Sequence, residues 1–495
     1  MEVAAHRLSR CARLACALVL AIAATASLVA AQAASPTIEG PVSGGTGNPF
    51  VATSAIDLAS VGYIQEEFFI SGTATAYTSG TPLTSDGEWS LTPGASAAYK
   101  TRIVVYRPAL ARRFNGTVIV EWLNVSAGID SGPDWLAGHV QLIRDGFAWV
   151  GVSAQIVGVE GGTAILGMPA PGLKHIDPAR YGSLVHPGDS FSYDIFSQAG
   201  QAVRHPSGPN PLGDLPVERV IAVGESQSAF RLVPYINGVD ALARVYDGYL
   251  VHSRSAGGAP LSEAPQPAIP LPRPTLFRTD ARVPVLALQT ETDVTVLNYY
   301  SDRQPDNEHF RLWEVAGTAH ADTYTLAVGG SDLGRSPRAA DLIVTTNPVV
   351  GFHCGVPVNS GPLHFVLNAA IVALNRWVKD GIPPAEAPRL ATEGTPPSMI
   401  TRDPYGNAVG GIRTPAVDAP IATLSGIGGG GTSFCFLFGS TVRLDAATLA
   451  VLYPTHAAYV AAVSRVAQRA MRNGFLLQRD ARLIRAQAAD SAIGR

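Results

Sequence analysis

The feature that most limits what this chain can fold into is a series of short, β-branched apolar runs with helical stretches between them. The runs cover residues 101–106, 117–122, 148–153, 217–223, 246–252, 283–288 and 310–315. They are continuous rather than alternating, as strands covered on both faces are. Residues 134–146 set Leu136, Val140 and Ile143 on one helical face, with Asp134 as the candidate N-cap and Gly146 as the stop. Residues 193–204 read as a second helix. Residues 364–379 read as a third, stopped by Gly381 and followed by Pro383 and Pro384, and 455–473 as a fourth, ending at Gly474. Helices alternating with buried strands predict an α/β chain with a mainly parallel central sheet flanked by helices. Residues 36–95, rich in Gly, Ser and Thr, predict a β-rich segment ahead of that sheet. The expectation is a single domain over 34–495 with insertions at about 254–282, which carries a Pro-rich tract, and 383–440, which is Pro- and Gly-rich and irregular.

Composition excludes several classes of chain. With 46% apolar residues, 15% charged and a net charge of −3, it is not mainly disordered. It has no basic stripe, so nucleic acid is not expected as a partner. Arg7, Arg10 and Arg13 precede an apolar run over 14–30 and the small-residue site Ala31-Gln32-Ala33. That order predicts a signal peptide over 1–33, a secreted or periplasmic protein, and no membrane span after cleavage. Cys11 and Cys16 would leave with the leader. Cys354 and Cys435 would remain, able to pair in an oxidising compartment, with two buried free thiols as the alternative. Two thiols so far apart lack the spacing of a zinc motif. Gly426, Gly428 and Gly431 fit G-x-G-x-x-G, but residues 432–438 read as a strand, not the helix a dinucleotide site needs. No metal and no organic cofactor are expected.

Residues 224–228, Gly-Glu-Ser-Gln-Ser, approximate G-x-S-x-G, with Ser228 in place of the second glycine. In that motif a serine sits on a sharp strand-to-helix turn, where side chains two positions before and after would collide. Gly188-Asp189-Ser190-Phe191-Ser192 fits the same pattern, but Ser190 follows His186-Pro187 rather than a strand, with Asp189 or Ser190 as a plausible helix cap. Ser226 is therefore the candidate nucleophile. Pro234 should kink or shorten the helix after it. A serine hydroxyl needs a base, and the base needs orienting. Strand 283–288 runs into Glu291 and Asp293; Asp293 is the candidate acid and Glu291 the alternative. Strand 310–315 runs into His320, the candidate base. Requiring His320 neutral predicts activity rising through a pKa near ~6.5. The oxyanion donors are expected to be the N–H of Gln227 and that of Asn124 or Val125. Trp122, Gln155, Glu225, His252 and the Pro-rich loop are expected from their positions to shape the pocket.

Together these residues resemble the α/β-hydrolase superfamily, and within it a branch of secreted hydrolases of mostly unassigned substrate. The resemblance rests on FNGTVIVEWLNVS (114–126), GESQSA (224–229), QTETDV (289–294), GTAHAD (317–322), RWVKDGIPP (376–384) and DPYGNAVGGIRTP (403–415). It covers roughly residues 50–480. It departs from the wider pattern in Ser228 and in a long tail after His320. It implies Ser226, Asp293 and His320 as a triad that hydrolyses an ester-like bond in a small molecule through an acyl-enzyme. The same triad would also serve an acyltransferase or an amidase, and a non-catalytic binding protein on a hydrolase scaffold is the more distant alternative.

Overall fold

A computed structural model describes residues 33–495 apart from 166, 396, 397 and 433, so the expected leader lies, but for Ala33, outside the described residues. Nine strands build one sheet: β1 (Thr37–Glu39), β2 (Tyr63–Ser79), β3 (Leu91–Pro108), β4 (Thr117–Trp122), β5 (Ala148–Val152), β6 (Arg219–Glu225), β7 (Gly248–His252), β8 (Val285–Thr290) and β9 (Phe310–Val315), in the order β1-β2-β3-β5-β4-β6-β7-β8-β9. From β5 to β9 every neighbouring pair is parallel; β1, β2 and β3 add to the edge as antiparallel strands. The β-branched runs became these strands because each is buried along nearly its whole length. The hairpin of β2 and β3 is much longer than its apolar core, at 17 and 18 residues. Its outer part, around residues 92–96, is exposed and made of Thr, Pro, Gly, Ala and Ser, so no hydrophobic run announces it.

The principal helices are α1 (Pro133–Asp145), α2 (Ser192–Arg204), α3 (Gln227–Pro234), α4 (Glu291–Thr295), α5 (Leu363–Asp380), α6 (His456–Arg472) and α7 (Gln478–Asp490). Alternate residues of β4 point to opposite cores: Val118, Val120 and Trp122 pack with α2 and α3, whereas Ile119 packs with α1 and α5. Among the described residues no single helix is long and apolar enough to cross a membrane.

Two local expectations are corrected. Asp134 is not the N-cap of α1; it lies in the first turn, behind Pro133. The free N–H groups of Asp134 and Trp135 instead donate to the carboxylate of Glu121, from β4, at 2.9 Å each, and the Trp149 indole N–H joins them at 2.7 Å. A buried carboxylate with three donors satisfies a helix end as a local cap would. The described residues of 432–438 form no strand either: Cys435–Leu437 is a single 3₁₀ turn. Cys435 is bonded there to Cys354, and Phe438 packs 5.6 Å from the ring of Phe352, so the apolar residues serve a small disulfide-centred cluster instead of a sheet. That bond closes a loop over a sequence separation of 81. Replacing both cysteines with serine is expected to cost roughly 4 kcal/mol of stability, read as a lowered guanidinium midpoint.

Candidate active site

The turn from β6 into α3 takes a single residue. Ser226 stands on it at φ 56° and ψ −116°, a conformation costly for a residue with a Cβ and held only where its surroundings enforce it. Its N–H donates to the carbonyl of His252, at the end of β7, at 2.9 Å. A Cβ on Gly224 would come within 3.0 Å of the Ser228 backbone and 3.1 Å of Leu232 Cδ1, so the space between strand and helix needs the glycine. Ser228 fits on the other side of the turn, fully buried. Pro234 ends α3, and the chain goes on as a π turn, Tyr235–Val239. The Phe230 carbonyl, which a proline four residues on cannot serve, accepts the N–H of Ala259 at 2.9 Å.

The other two groups arrive from the ends of β8 and β9. Thr290 caps α4 in a capping box: its N–H donates to Asp293 Oδ2 at 2.7 Å, and its Oγ1 accepts the Asp293 N–H at 3.3 Å. One oxygen of Asp293 is thus fixed by the backbone. The other, Oδ1, accepts Nδ1–H of His320 at 2.6 Å. That bond leaves Nε2 of His320 as an acceptor, and the Ser226 hydroxyl lies 2.8 Å from it. Asp293 is fully buried, His320 nearly so, and Ser226 only partly. Burial works against a charged His320, but the charge and hydrogen bond of Asp293 and the charge of Glu225 outweigh it, so His320 is held above the ordinary histidine value. The acid limb of activity is therefore expected above the ~6.5 of a free imidazole.

Gln227 opens α3, so its N–H has no acceptor within the helix. Its side chain pairs with the amide of Gln155, which also donates to the Leu123 carbonyl at 3.3 Å. Val125 N–H makes no bond among the described residues. The Asn124 N–H is spent on the Ser131 carbonyl at 2.8 Å, so of the two expected second donors only Val125 is free.

Residues 38–486 match the alpha/beta hydrolase domain family. The chain belongs to that family. Among solved structures it is similar to an α/β serine hydrolase without a lid from Xanthomonas campestris (13% identity, 50% of this chain and 85% of that one, TM-score 0.26). It is also similar to glucuronoyl esterases from Teredinibacter turnerae (10% identity, 57% and 74%, TM-score 0.27) and Solibacter usitatus (10%, 57% and 83%, TM-score 0.27). At such scores they add nothing to the family assignment. No curated protein matches the sequence.

The side chains of the remaining candidates of this α/β-hydrolase are bound to other partners. Glu291, the alternative acid, is buried and accepts the N–H groups of Gly317 at 2.6 Å and Gly426 at 3.0 Å, with Arg402 in an ion pair at 2.7 Å. It ties the irregular insertion to the sheet edge and does not contact His320. Glu291→Ala would leave two buried donors and a guanidinium unpaired, an expected loss of about 3 kcal/mol measured by thermal or denaturant unfolding. Ser190 lies in a 3₁₀ turn, Asp189–Phe191. Its hydroxyl donates to the Glu263 carbonyl and accepts the Glu263 N–H, both at 2.8 Å. Neither Asp189 nor Ser190 caps α2: Asp189 accepts the Ile156 N–H at 2.7 Å and pairs with Arg231 at 2.8 Å. His252 sits beneath the turn, with Nδ1–H donating to Asp134 Oδ1 at 2.9 Å. Among the described residues no group of three or more His, Cys, Asp or Glu is placed to hold a metal ion.

Proposed function

We propose that this hydrolase is an exported serine esterase that cleaves a carboxylic ester of a small molecule through an acyl-enzyme. The observation that carries the reading is the unbroken relay from Ser226 through His320 to Asp293, at 2.8 and 2.6 Å, with the serine on a strained strand-to-helix turn. Ser226 Oγ attacks the carbonyl carbon as its proton passes to Nε2 of His320. Asp293 favours the imidazolium so formed and keeps the ring in the tautomer that accepts at Nε2. The oxyanion meets the N–H of Gln227 and that of Val125. When the intermediate collapses, the ester C–O bond breaks, Nε2–H protonates the departing alkoxide and the alcohol leaves. Water then attacks the acyl-enzyme with His320 again as base, releasing the acid. Export is supported by the disulfide between Cys354 and Cys435, since such bonds persist in oxidising compartments.

The test is a panel of p-nitrophenyl esters and p-nitroanilides of graded acyl length. Hydrolysis of esters well above the Ser226→Ala background is the expected result. Cleavage of anilides as fast as esters, or of neither, would overturn it.

A further inference from the structure

Buried glutamates in this chain have identifiable partners. Glu67 pairs with Arg102 and Arg180, Glu314 with Arg303, Glu291 with Arg402, and Glu121 receives three N–H donors. Glu225, the residue before the nucleophile, is buried without an arginine or lysine among the described residues. Its Oε1 stands 3.4 Å from Nε2 of His320, the nitrogen that exchanges protons with Ser226, not the one held by Asp293. Its other oxygen is gripped from the end of β4: Asn124 Nδ2 lies 3.2 Å from Oε2 and 3.0 Å from the Glu225 carbonyl. Asn124 is itself fixed at every other group, its Oδ1 by the Ser126 N–H at 2.8 Å and its backbone by Ser131 at 2.8 and 2.9 Å.

Resting on the serine reading above, we infer that Glu225 is a positioning residue for His320, its carboxylate steered by Asn124 so that it steadies the imidazolium while the proton sits on Nε2. Asp293 holds the ring at Nδ1, so Glu225 adds to it at the other nitrogen, the one that carries the transferred proton. An ionised Glu225 draws the Nε2 proton from 3.4 Å, beyond ordinary hydrogen-bond length, so the proton stays available to the leaving group. Asn124, expected from sequence to supply an oxyanion N–H, serves this arrangement through its side-chain amide instead.

The arrangement works only when Glu225 is ionised. Burial drives its carboxyl up to about 7, against the opposing pull of His320 and His252 and with the repulsion of Asp134 and Asp293. These are the titratable groups that face it. Asp322, buried beside His252 and pushed up to about 6, belongs to the same surroundings. Two protons must therefore leave, one from His320 and one from Glu225, before Ser226 is fully reactive. On the acid side a logarithmic plot of rate against pH should approach a slope of two.

The experiment is the second-order rate of Ser226 phosphonylation by a fluorophosphonate across about pH 5 to 9. It compares the wild type, Glu225→Gln and Glu225→Asp, with near-UV circular dichroism as the check on folding. The amide keeps the Asn124 contact and loses the charge. Glu225→Gln should fall to a slope of one, shift its acid limb to lower pH because His320 loses a stabilising charge, and lose roughly tenfold to a hundredfold in plateau rate. Glu225→Asp should keep the slope of two and recover part of the rate. Asp322 and His252 are present in all three proteins, so the difference between them belongs to Glu225. A Glu225→Gln profile that superimposes on the wild type would overturn the inference while leaving the serine reading intact. So would a wild-type slope of one, which decides the matter even if the glutamine variant does not fold. No phosphonylation of wild-type Ser226 would instead remove the serine reading, and this inference with it.

Discussion

Asp293→Asn is expected to lower kcat by roughly 10⁴, about 5.5 kcal/mol of barrier, with little change in fold. The size follows from how Asp293 is held. Its Oδ2 accepts the Thr290 N–H at 2.7 Å, a backbone donor that cannot turn away. An asparagine there must give its carbonyl oxygen to Thr290, and its NH₂ then faces Nδ1 of His320. Nδ1 becomes an acceptor, the ring proton moves to Nε2, and Nε2 can no longer take the proton of Ser226. The capping box that orients the carboxylate would thus lock the wrong tautomer into the variant. Steady-state kinetics on an activated ester, with ¹⁵N spectra of the His320 ring, would read both effects. A loss of less than tenfold would mean that Glu225 or water orients the histidine instead.

Ser226→Ala should be the most damaging single change to activity, with kcat down by about 10⁶. Alanine keeps the Cβ that already tolerates φ 56° and keeps the N–H bonded to His252, so the turn and the oxyanion donors should survive. The residual rate should then be the oxyanion site working on its own, some 10³–10⁴ above water. His320→Ala should fall nearly as far, and the double variant little further, because serine and base act as a unit. Additive losses would show that the two groups do not cooperate.

How much of this was legible beforehand depended on whether a residue's partner was local. Strands β4 and β9 coincide with their apolar runs at 117–122 and 310–315, because each run is buried but for a half-buried Arg311 and ends in turn residues. Ser226, Asp293 and His320 were singled out because each follows a recognisable core strand, and parallel strands deliver their ends to one edge. The cap of α1 is not legible: Glu121 serves N–H groups 13 and 14 positions away, from the strand on which the helix packs, and nothing in the helix's own sequence asks for it. By spacing Glu291 is the alternative to Asp293 as the acid. What separates them is Gly426, 135 positions on, together with Arg402, and the capping box that turns Asp293 toward the histidine. Asn124 follows β4, but the engagement of its N–H by Ser131 is not legible, because that pairing is an isolated bridge that periodicity cannot show. Residues 432–438 have the composition of a strand, but a disulfide and three phenylalanines can use the same residues in a turn.

If Ser226 is a nucleophile activated by His320, covalent labelling will read that activation without a substrate. The protein would be treated with a fluorophosphonate at neutral pH and the adduct located by peptide mass spectrometry, in the wild type, Ser226→Ala and His320→Ala. One adduct is expected, on Ser226, absent from the first variant and formed far more slowly in the second. Folded wild-type protein that takes no label, or takes it on Ser190, would contradict it.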